Sequence, residues 1–596
     1  MIGLRPDFAE VHNNLGAALK GLGRLDEAIT AYGRAVAVKP DYPAAWSNLG
    51  EALMKAGRLE DAEAACRRAV ALAPALAQAH NNLGAVLTEA GRFDEAEAVL
   101  RTTLALRPDY AEALSNLGRA LVEQGRHDEA VAAYRRALAF APGLAEANAN
   151  LGSALILQAR QAEGMAYYEA AIAARPDVAV HKALLACATY RDDLDGAALR
   201  ALHTRFGTTF AQPADPLPDF GGDGDAEADP DRRLRIGYLS SDLREHPVGH
   251  NLLPVLRRHD RTRFSPHLYA HVPRPSAMTA AFRALADGWC DIAGLTDAQV
   301  AERIRADRID ILVSLAGRFD NNRPLVCARR AAPIQISLHD VATSGLAGMD
   351  YLIADRWLSP RGSGEFFTER VLRLPSFPVA ALPAEPPGRA GRGDGPPVFG
   401  CFNNPCKITP TALALWGRIL AAVPGSTLVL KYMDAYGSPE LCDRLRGRLA
   451  AAGAGAGQVR FLGGRESGRD FLARYHEVDI ALDTLPFSGS TTSFQALAMG
   501  VPVVTWPWDR MVSRWTFSML RTLHLDELIA HTGDGYVGIA VDLAHDIQRW
   551  RRRRHEIRRR VAASSLCDSR RWAGNVERLY RAVWRRRIAL GTGMTS

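Results

Sequence analysis

A proline returns every 34 residues from the start of the chain: Pro6, Pro40, Pro74, Pro108, Pro142 and Pro176. Leu-Gly pairs keep the same period at 15–16, 49–50, 83–84, 117–118 and 151–152. Ala28, Ala62, Ala96 and Ala130 share it, as do Gly-Arg pairs at 23–24, 57–58, 91–92 and 125–126. Self-similarity of this length means one supersecondary unit repeated, each copy burying its apolar face against the next. The residue types say which unit. Small residues in phase let two helices approach closely, and each proline ends the second helix before the next unit begins. Residues 1–178 therefore read as a helical solenoid.

The pattern resembles the tetratricopeptide repeat, whose arrays bind extended peptides on a concave face. Asn14, Asn48, Asn82, Asn116 and Asn150 occupy one equivalent position, directly before the Leu-Gly pair. A column of amides there could bond a guest backbone without reading its sequence. The competing reading is that each amide satisfies neighbouring helices; five repetitions in phase favour the groove.

The periodicity changes after residue 178. Residues 179–210 read as helical, and 211–233 form an acidic linker rich in Pro and Gly. Short apolar runs at 234–242, 309–317, 333–340 and 351–357 then alternate with helical stretches, the rhythm of a parallel sheet covered on both faces. A second linker at 381–397 precedes a second set: 397–403, 426–432, 459–464, 478–484 and 501–506. The expected organisation is α + α/β: the repeat array at 1–178, a helical connection and linker at 179–233, Rossmann-like domains at 234–385 and 396–568, and a C-terminal helix and tail at 569–596. Two such domains leave a cleft where strand C-termini face each other. Neither carries GxGxxG or a Walker A sequence, so dinucleotide and ATP readings are weak.

The formal net charge is +7, and RWRRRRHEIRRR at 549–560 accounts for it. That run could meet an acidic partner, but a solvated helix face is the more economical reading, and no nucleic-acid partner is expected. Eight cysteines without a CxxC pair argue for a reducing compartment and against a zinc site or disulfide framework. With no signal peptide and no spanning apolar run, the expectation is a cytoplasmic protein.

Several motifs carry chemistry. In LPFSGSTTSFQALAMGVPVVT (485–505), Gly489 and Ser490 lead from a strand into a helix opened by Thr491 and Thr492. Paired hydroxyls, backbone N–H groups and the helix dipole make an anion site there, beyond what capping requires. Lys407, just past a strand in FNNPCKI and one of few lysines in an arginine-rich chain, can place a cation on a phosphate. Asp242, His246 and His250 follow the first strand of the catalytic part. The HxxxH spacing hints at zinc, but Pro247 disturbs the helix and no third ligand is evident.

An N-terminal repeat array followed by LRIGYLSSDLREHPVGH (234–250), APIQ…TSG…MDYLIAD (332–355), CFNNPCKITP (401–410), VDIALDT (478–484) and STTSFQALAMGVPVV (490–504) resembles the O-GlcNAc transferase/SPINDLY group, glycosyltransferase family 41. The resemblance covers about residues 1–585. It implies a GT-B fold and inverting, metal-free transfer of a sugar from a nucleotide donor to Ser or Thr hydroxyls, with the nucleotide sugar as co-substrate and no cofactor. Lys407 then matches the essential lysine, with Asn404 and Asn403 as donor-binding amides beside it. Asp242 and His246 match groups lining the acceptor and sugar site, read as orienting groups or proton acceptors. His181, in VHKALL, matches a histidine proposed as base in bacterial members, although the family follows it with Ser-Asn where this chain has Lys182 and Ala183.

The departures cluster on the donor. SLHDVAT (337–343) stands where members carry WLGYPGT over the sugar. Ser490 replaces a His, and Gln495 replaces the Asp that grips the ribose. A Lys and a His that contact phosphate and uracil fall near Gly468 and Phe471. The expected function is an inverting protein O-glycosyltransferase whose repeat groove selects the acceptor. The rivals are the same chemistry with another donor, such as a CMP-nonulosonic acid placed on flagellin or another surface protein; transfer to lipid-linked or free glycans; and a non-catalytic adaptor with a degenerate transferase domain.

Overall fold

A computed structural model describes residues 8–210, 229–377, 394–466 and 468–592. The chain forms two compact units, one of residues 1–180 with Gly437–Glu440, the other of 181–436 and 441–596.

The first unit is built of helices in antiparallel pairs, α1 (Ala9–Gly21) through α10 (Gln161–Ala174). The repeated glycines explain the pairing distance. A Cβ on Gly16 would lie 2.7 Å from the Tyr32 ring, one on Gly84 2.5 Å from Leu100, and one on Gly118 2.5 Å from Tyr134. Only a hydrogen side chain lets the two helices of each pair meet there. Ala28, Tyr32, Ala62, Ala96 and Ala130, all fully buried, form the floor of the same contacts. The turn glycines at 23, 57, 91 and 125 take φ of 76–78°, where L-residues are strained.

The asparagine column does not stand free. Asn48 Nδ2 donates to Asn13 Oδ1 at 3.0 Å, Asn82 Nδ2 to Ser47 Oγ at 3.0 Å, and Asn116 Nδ2 to Asn81 Oδ1 at 2.9 Å. These amides stitch each repeat to the one before it, so the Nδ2 groups at 48, 82 and 116 already have partners within the array. Asn14, at the first repeat, is exposed, and the Asn150 amide nitrogen is buried without a partner among the described residues.

The second unit holds two parallel sheets, the GT-B arrangement the sequence suggests. The first is ordered β3-β2-β1-β4-β5-β6-β7, from β1 (Leu234–Ser240), β2 (Phe264–Ala270), β3 (Gly288–Asp291), β4 (Ile311–Leu315), β5 (Ile334–Leu338), β6 (Tyr351–Asp355) and β7 (Arg370–Leu374). The second is ordered β10-β9-β8-β11-β12, from β8 (Val398–Cys401), β9 (Thr427–Lys431), β10 (Val459–Leu462), β11 (Ile480–Leu482) and β12 (Val503–Val504). All five expected strands of the second sheet form, but β2, β3 and β7 were not expected. β2 carries Pro266, which cannot donate to a ladder, β3 has four residues, and β7 (RVLRL) places its arginines three apart, out of strand period.

Two boundaries move. α11 (Val178–Tyr190) and α12 (Gly196–Phe210), expected as a connection, belong from His181 onward to the catalytic unit. The terminal helix Ser569–Thr592 returns to the first sheet: Tyr580 Oη lies 3.3 Å from Tyr238 Oη, and Glu577 accepts from Asp260 N at 2.8 Å. Residues 211–228 and 378–393, most of the two expected linkers, lie outside the described residues.

The arginine run is a set of structural pins. Arg554, buried, donates to Tyr475 O and Val478 O at 2.9 and 3.0 Å, Arg558 to Ala498 O at 2.6 Å, and Arg560 to His524 O at 2.9 Å. Arg551 pairs with buried Asp479 at 2.8 Å. The charge that looked like a solvated face closes the carbonyl ends around the second sheet. No helix among the described residues is long and apolar enough to cross a membrane.

Candidate active site

Both sheets reverse strand order next to their first strand, between β1 and β4 and between β8 and β11. Ligands of open α/β sheets bind at such switch points, outside the strands' C-terminal ends. The chemistry-bearing residues sit there. Asp242 and His246 follow β1, and Asp320 and Asn322 follow β4. In the second sheet Asn403, Asn404 and Lys407 follow β8, and residues 483–492 follow β11. Phe319, on the loop after β4, and Val341, after β5, pack with Phe487 of the turn after β11, so the two clusters border one cleft.

The hydroxyl-rich turn is built around Asp483. This carboxylate, 1% exposed, accepts from Gly489 N at 2.6 Å, Thr484 N at 3.0 Å and Thr505 Oγ1 at 2.7 Å. The turn is further pinned by Ser488, whose Oγ accepts from Trp515 N at 3.0 Å. A Cβ on Gly489 would lie 2.1 Å from Ser493 Oγ, so the glycine is required by close approach. Beyond it the helix Thr491–Ala498 begins, with no side-chain cap from Ser490. Thr492 Oγ1 donates to Asn403 Oδ1 at 2.6 Å, which ties the two switch-point loops together. The hydroxyls of Ser490 and Thr491 and the amide of Gln495 make no hydrogen bond among the described residues. The first backbone N–H groups of a helix lack intrahelical partners by construction. The result is a cradle of unengaged donors at a helix start, suited to a phosphate.

Lys407 overhangs this cradle. It extends from the short 3-10 turn Pro405–Lys407, its Nζ 3.9 Å from the centroid of the Phe487 ring and donating to Ser488 O at 3.1 Å. Burial pushes its pKa down to about 8, partly offset by the Asp483 carboxylate, and burial pushes Asp483 up to about 6. A desolvated cation with no carboxylate bonded to it is poised to take an anion. Affinity for a nucleoside diphosphate should therefore weaken as pH rises through about 8. We expect it to be about tenfold lower at pH 9.0 than at pH 7.0 by calorimetric titration. Equal affinity at both values would show that the Lys407 charge does not hold the anion.

Across the cleft, Asp242 is fully buried. Its Oδ2 accepts from Asn322 Nδ2 at 2.9 Å and its Oδ1 from Ser241 Oγ at 3.1 Å. Burial raises its pKa. His246 caps the helix Pro247–Leu256, its Nδ1 accepting from Val248 N at 3.3 Å and lying 3.7 Å from Asp242 Oδ1. That bond leaves the proton on Nε2, which faces Asp320 Oδ2 at 3.3 Å. The His246 contact in turn holds the Asp320 carboxyl below the usual carboxylate range. His250 is elsewhere, paired with Glu245 at 3.1 Å on the surface. Sequence spacing shows no third ligand beside His246. The fold supplies one in Asp320, with ligand-type atoms of Asp242, His246 and Asp320 all within 4.8 Å. Both ring nitrogens of His246 nevertheless have protein partners, which suits a proton-handling histidine.

Other expected residues lie in packed surroundings. His181 is 2% exposed, edge-on to Phe210 at 4.9 Å and 6.3 Å from Phe206, in an aromatic nest between α11 and α12. The altered SLHDVAT loop is tightly tied. Asp340 forms a buried pair with Arg318 at 2.6 Å, Arg318 also donates to Ala342 O at 3.0 Å, and His339 stands at φ 61° with burial lowering its pKa to about 4. Phe471, at one position where a donor contact was expected, packs with its ring tilted against Phe402, centroids 5.9 Å apart. Asp320, Asn322 and Asp483 were missed by sequence reasoning; the available signal was their place directly after β4 and β11.

With this geometry in hand, comparisons with known proteins are specific. Residues 223–378 and 390–576, more than half of the chain, match Glycosyl transferase family 41, and 13–77, 75–143 and 145–178 match tetratricopeptide repeats. A probable UDP-N-acetylglucosamine–peptide N-acetylglucosaminyltransferase SPINDLY of Solanum lycopersicum is 35% identical over 370 residues, 60% of this chain and 39% of the relative. The corresponding SEC protein of Arabidopsis thaliana is 29% identical over 368 residues, 59% of this chain and 37% of its own. The chain thus spans about two fifths of the length of these curated relatives. A lysine-to-methionine variant of the O-GlcNAc transferase of Thermobaculum terrenum superposes with a TM-score of 0.78 at 36% identity, over 87% of this chain and 99% of that one.

Proposed function

Because this chain belongs to glycosyltransferase family 41, we propose that it is an inverting protein O-glycosyltransferase. It would move a sugar from a nucleotide-linked donor to Ser or Thr hydroxyls of a protein presented by the repeat array. The observation that carries the reading is the arrangement at the cleft: a half-buried Lys407, ion-paired to no carboxylate among the described residues, over open hydroxyls at a helix start, faced by the Asp242–His246–Asp320 cluster.

Each half then has a task. Breaking the anomeric bond puts charge on the leaving phosphate, and Lys407 with the Thr491 helix start neutralises it in a site where water does not screen. On the other face, His246 orients the acceptor hydroxyl, and a carboxylate of the cluster, Asp242 or Asp320, takes its proton as the new bond forms. No metal is required where a fixed cation already meets the phosphate. The sugar named in the relatives, N-acetylglucosamine, is the first donor to test. A non-catalytic adaptor is disfavoured, because a scaffold has no use for a half-buried lysine held over an anion cradle.

The test is a thermal-shift panel of UDP-, GDP- and CMP-sugars on the full chain. A donor at 100 times its Kd should stabilise by about 2.7 kcal/mol. If no nucleotide sugar moves the melting curve at millimolar concentration, the transferase reading fails.

A further inference from the structure

Lys182 reads in the sequence as a defect, standing where relatives of this group place a serine. In the structure it is 7% exposed on α11, and its Nζ donates to two backbone carbonyls, Asp320 O at 2.9 Å and Asn322 O at 2.5 Å. Those carbonyls belong to the loop after β4, which is under strain: Ala316 and Asp320 both take positive φ, 48° and 47°. Residues without glycine's freedom hold such angles only when their surroundings over-determine them.

The loop carries two of the groups that organise the first half of the site. Asn322 Oδ1 accepts from Ser241 N at 2.7 Å and Ser240 Oγ at 3.1 Å, which fixes the amide so that Nδ2 must point at Asp242. Two residues earlier, Asp320 meets His246 Nε2. Arg318 anchors the same loop from its other side, through Asp340 and Ala342 O, with His203 of α12 3.5 Å from its Nη1. Burying an ammonium costs solvation, and burial lowers the Lys182 pKa to about 8. A cation retained there against that cost, bonded among the described residues to main-chain oxygens alone, has a conformation to hold.

We propose that Lys182 is a positioning residue, a buried clamp that keeps the 316–322 loop in the strained shape from which Asn322 orients Asp242 and Asp320 orients His246. It touches neither substrate and acts through the loop. The proposal rests on the transferase reading for its rate readout alone.

The test uses full-length Lys182→Met, which fills the same space without the charge, and Asn322→Asp, which turns the amide donor into a repelling carboxylate. Each variant should lower kcat at least about tenfold while donor KM and nucleotide affinity stay within about twofold, because the phosphate cradle belongs to the other sheet. The double variant should be no slower than the worse single one, since both act through one loop. The His246 ring nitrogens, assigned by NMR with His246→Gln, should lose the Nε2-protonated signature in Lys182→Met. That readout needs no turnover. A wild type inactive with every donor sinks the proposed function and leaves the clamp to be judged by NMR. Lys182→Met with wild-type kcat and unchanged His246 signals, or losses that multiply in the double variant, would overturn the clamp. If Lys182→Met does not fold, Asn322→Asp decides: unchanged kcat and His246 signals there reject it.

Discussion

Lys407→Ala should lower the rate of transfer by a factor of about 10³ while the protein melts within a few degrees of the wild type. Lys407 is desolvated in the free protein, so it contributes little to folding, and a group bonded to one carbonyl is not a structural pin. Its interaction becomes strong only when charge develops on the leaving phosphate, which is the definition of transition-state stabilisation. The loss should therefore fall on kcat and kcat/KM together, with a smaller effect on nucleotide affinity. Lys407→Arg should rescue little, because the ammonium is seated on the Phe487 ring at 3.9 Å and a planar fork does not fit that seat. Single-turnover transfer from a radiolabelled donor reads the effect. Turnover unchanged in Lys407→Ala would remove this residue from the chemistry and leave the cradle as a binding site alone.

What could be read from the sequence follows a physical line. The repeat array was legible because every unit states the same helix pair again, and a glycine pressed against Tyr32, Leu100 or Tyr134 is a one-letter record of close packing. Lys407 and Thr491 were legible because a strand running into a polar turn and then a helix is a local pattern. The inter-repeat partners of the asparagine column, Asn13, Ser47 and Asn81, were not legible, because they are reached only when one repeat stacks on the previous one. Asp320 and Asn322 escaped for the same reason: nothing local in GRFDNN says that β4 lies beside β1. The SLHDVAT loop shows the converse error. Taken alone it looks like lost function, yet Asp340 is matched by Arg318 from the neighbouring loop, so the departure is one half of a buried pair. Lys182 is another departure that the fold puts to use. Sequence reading sees substitutions singly; the sheet brings them together.

Asp483 was legible only as the end of a strand, and its replacement should have the largest effect on the fold of the site. Asp483→Ala leaves the N–H groups of Gly489 and Thr484 and the Thr505 hydroxyl buried without their acceptor, and leaves Lys407 without a counter-charge. Breaking a buried charged network by removing one partner costs about 3–5 kcal/mol. We expect a large fall in melting temperature and no measurable nucleotide binding, because the Gly489 turn loses the atom around which it is wound. Asp483→Asn separates shape from charge. Its carbonyl can still accept from Gly489 and Thr484, and the Thr505 hydroxyl can rotate to accept from its amide, so this variant should fold. The wild type carries a signature that Asp483→Asn lacks. The folded pKa, about 6, lies above the ordinary value of 3.8, so between these values the folded state binds more protons than the unfolded one. This contribution to stability is complete below pH 3.8 and is lost as pH rises through 6. Relative to Asp483→Asn, the wild type should therefore gain on the order of 3 kcal/mol between pH 7 and pH 4, read from urea midpoints. A constant difference across that range would mean that Asp483 titrates normally and is not enclosed. An Asp483→Ala protein that melts like the wild type and still binds nucleotide would mean that the turn holds its shape without it.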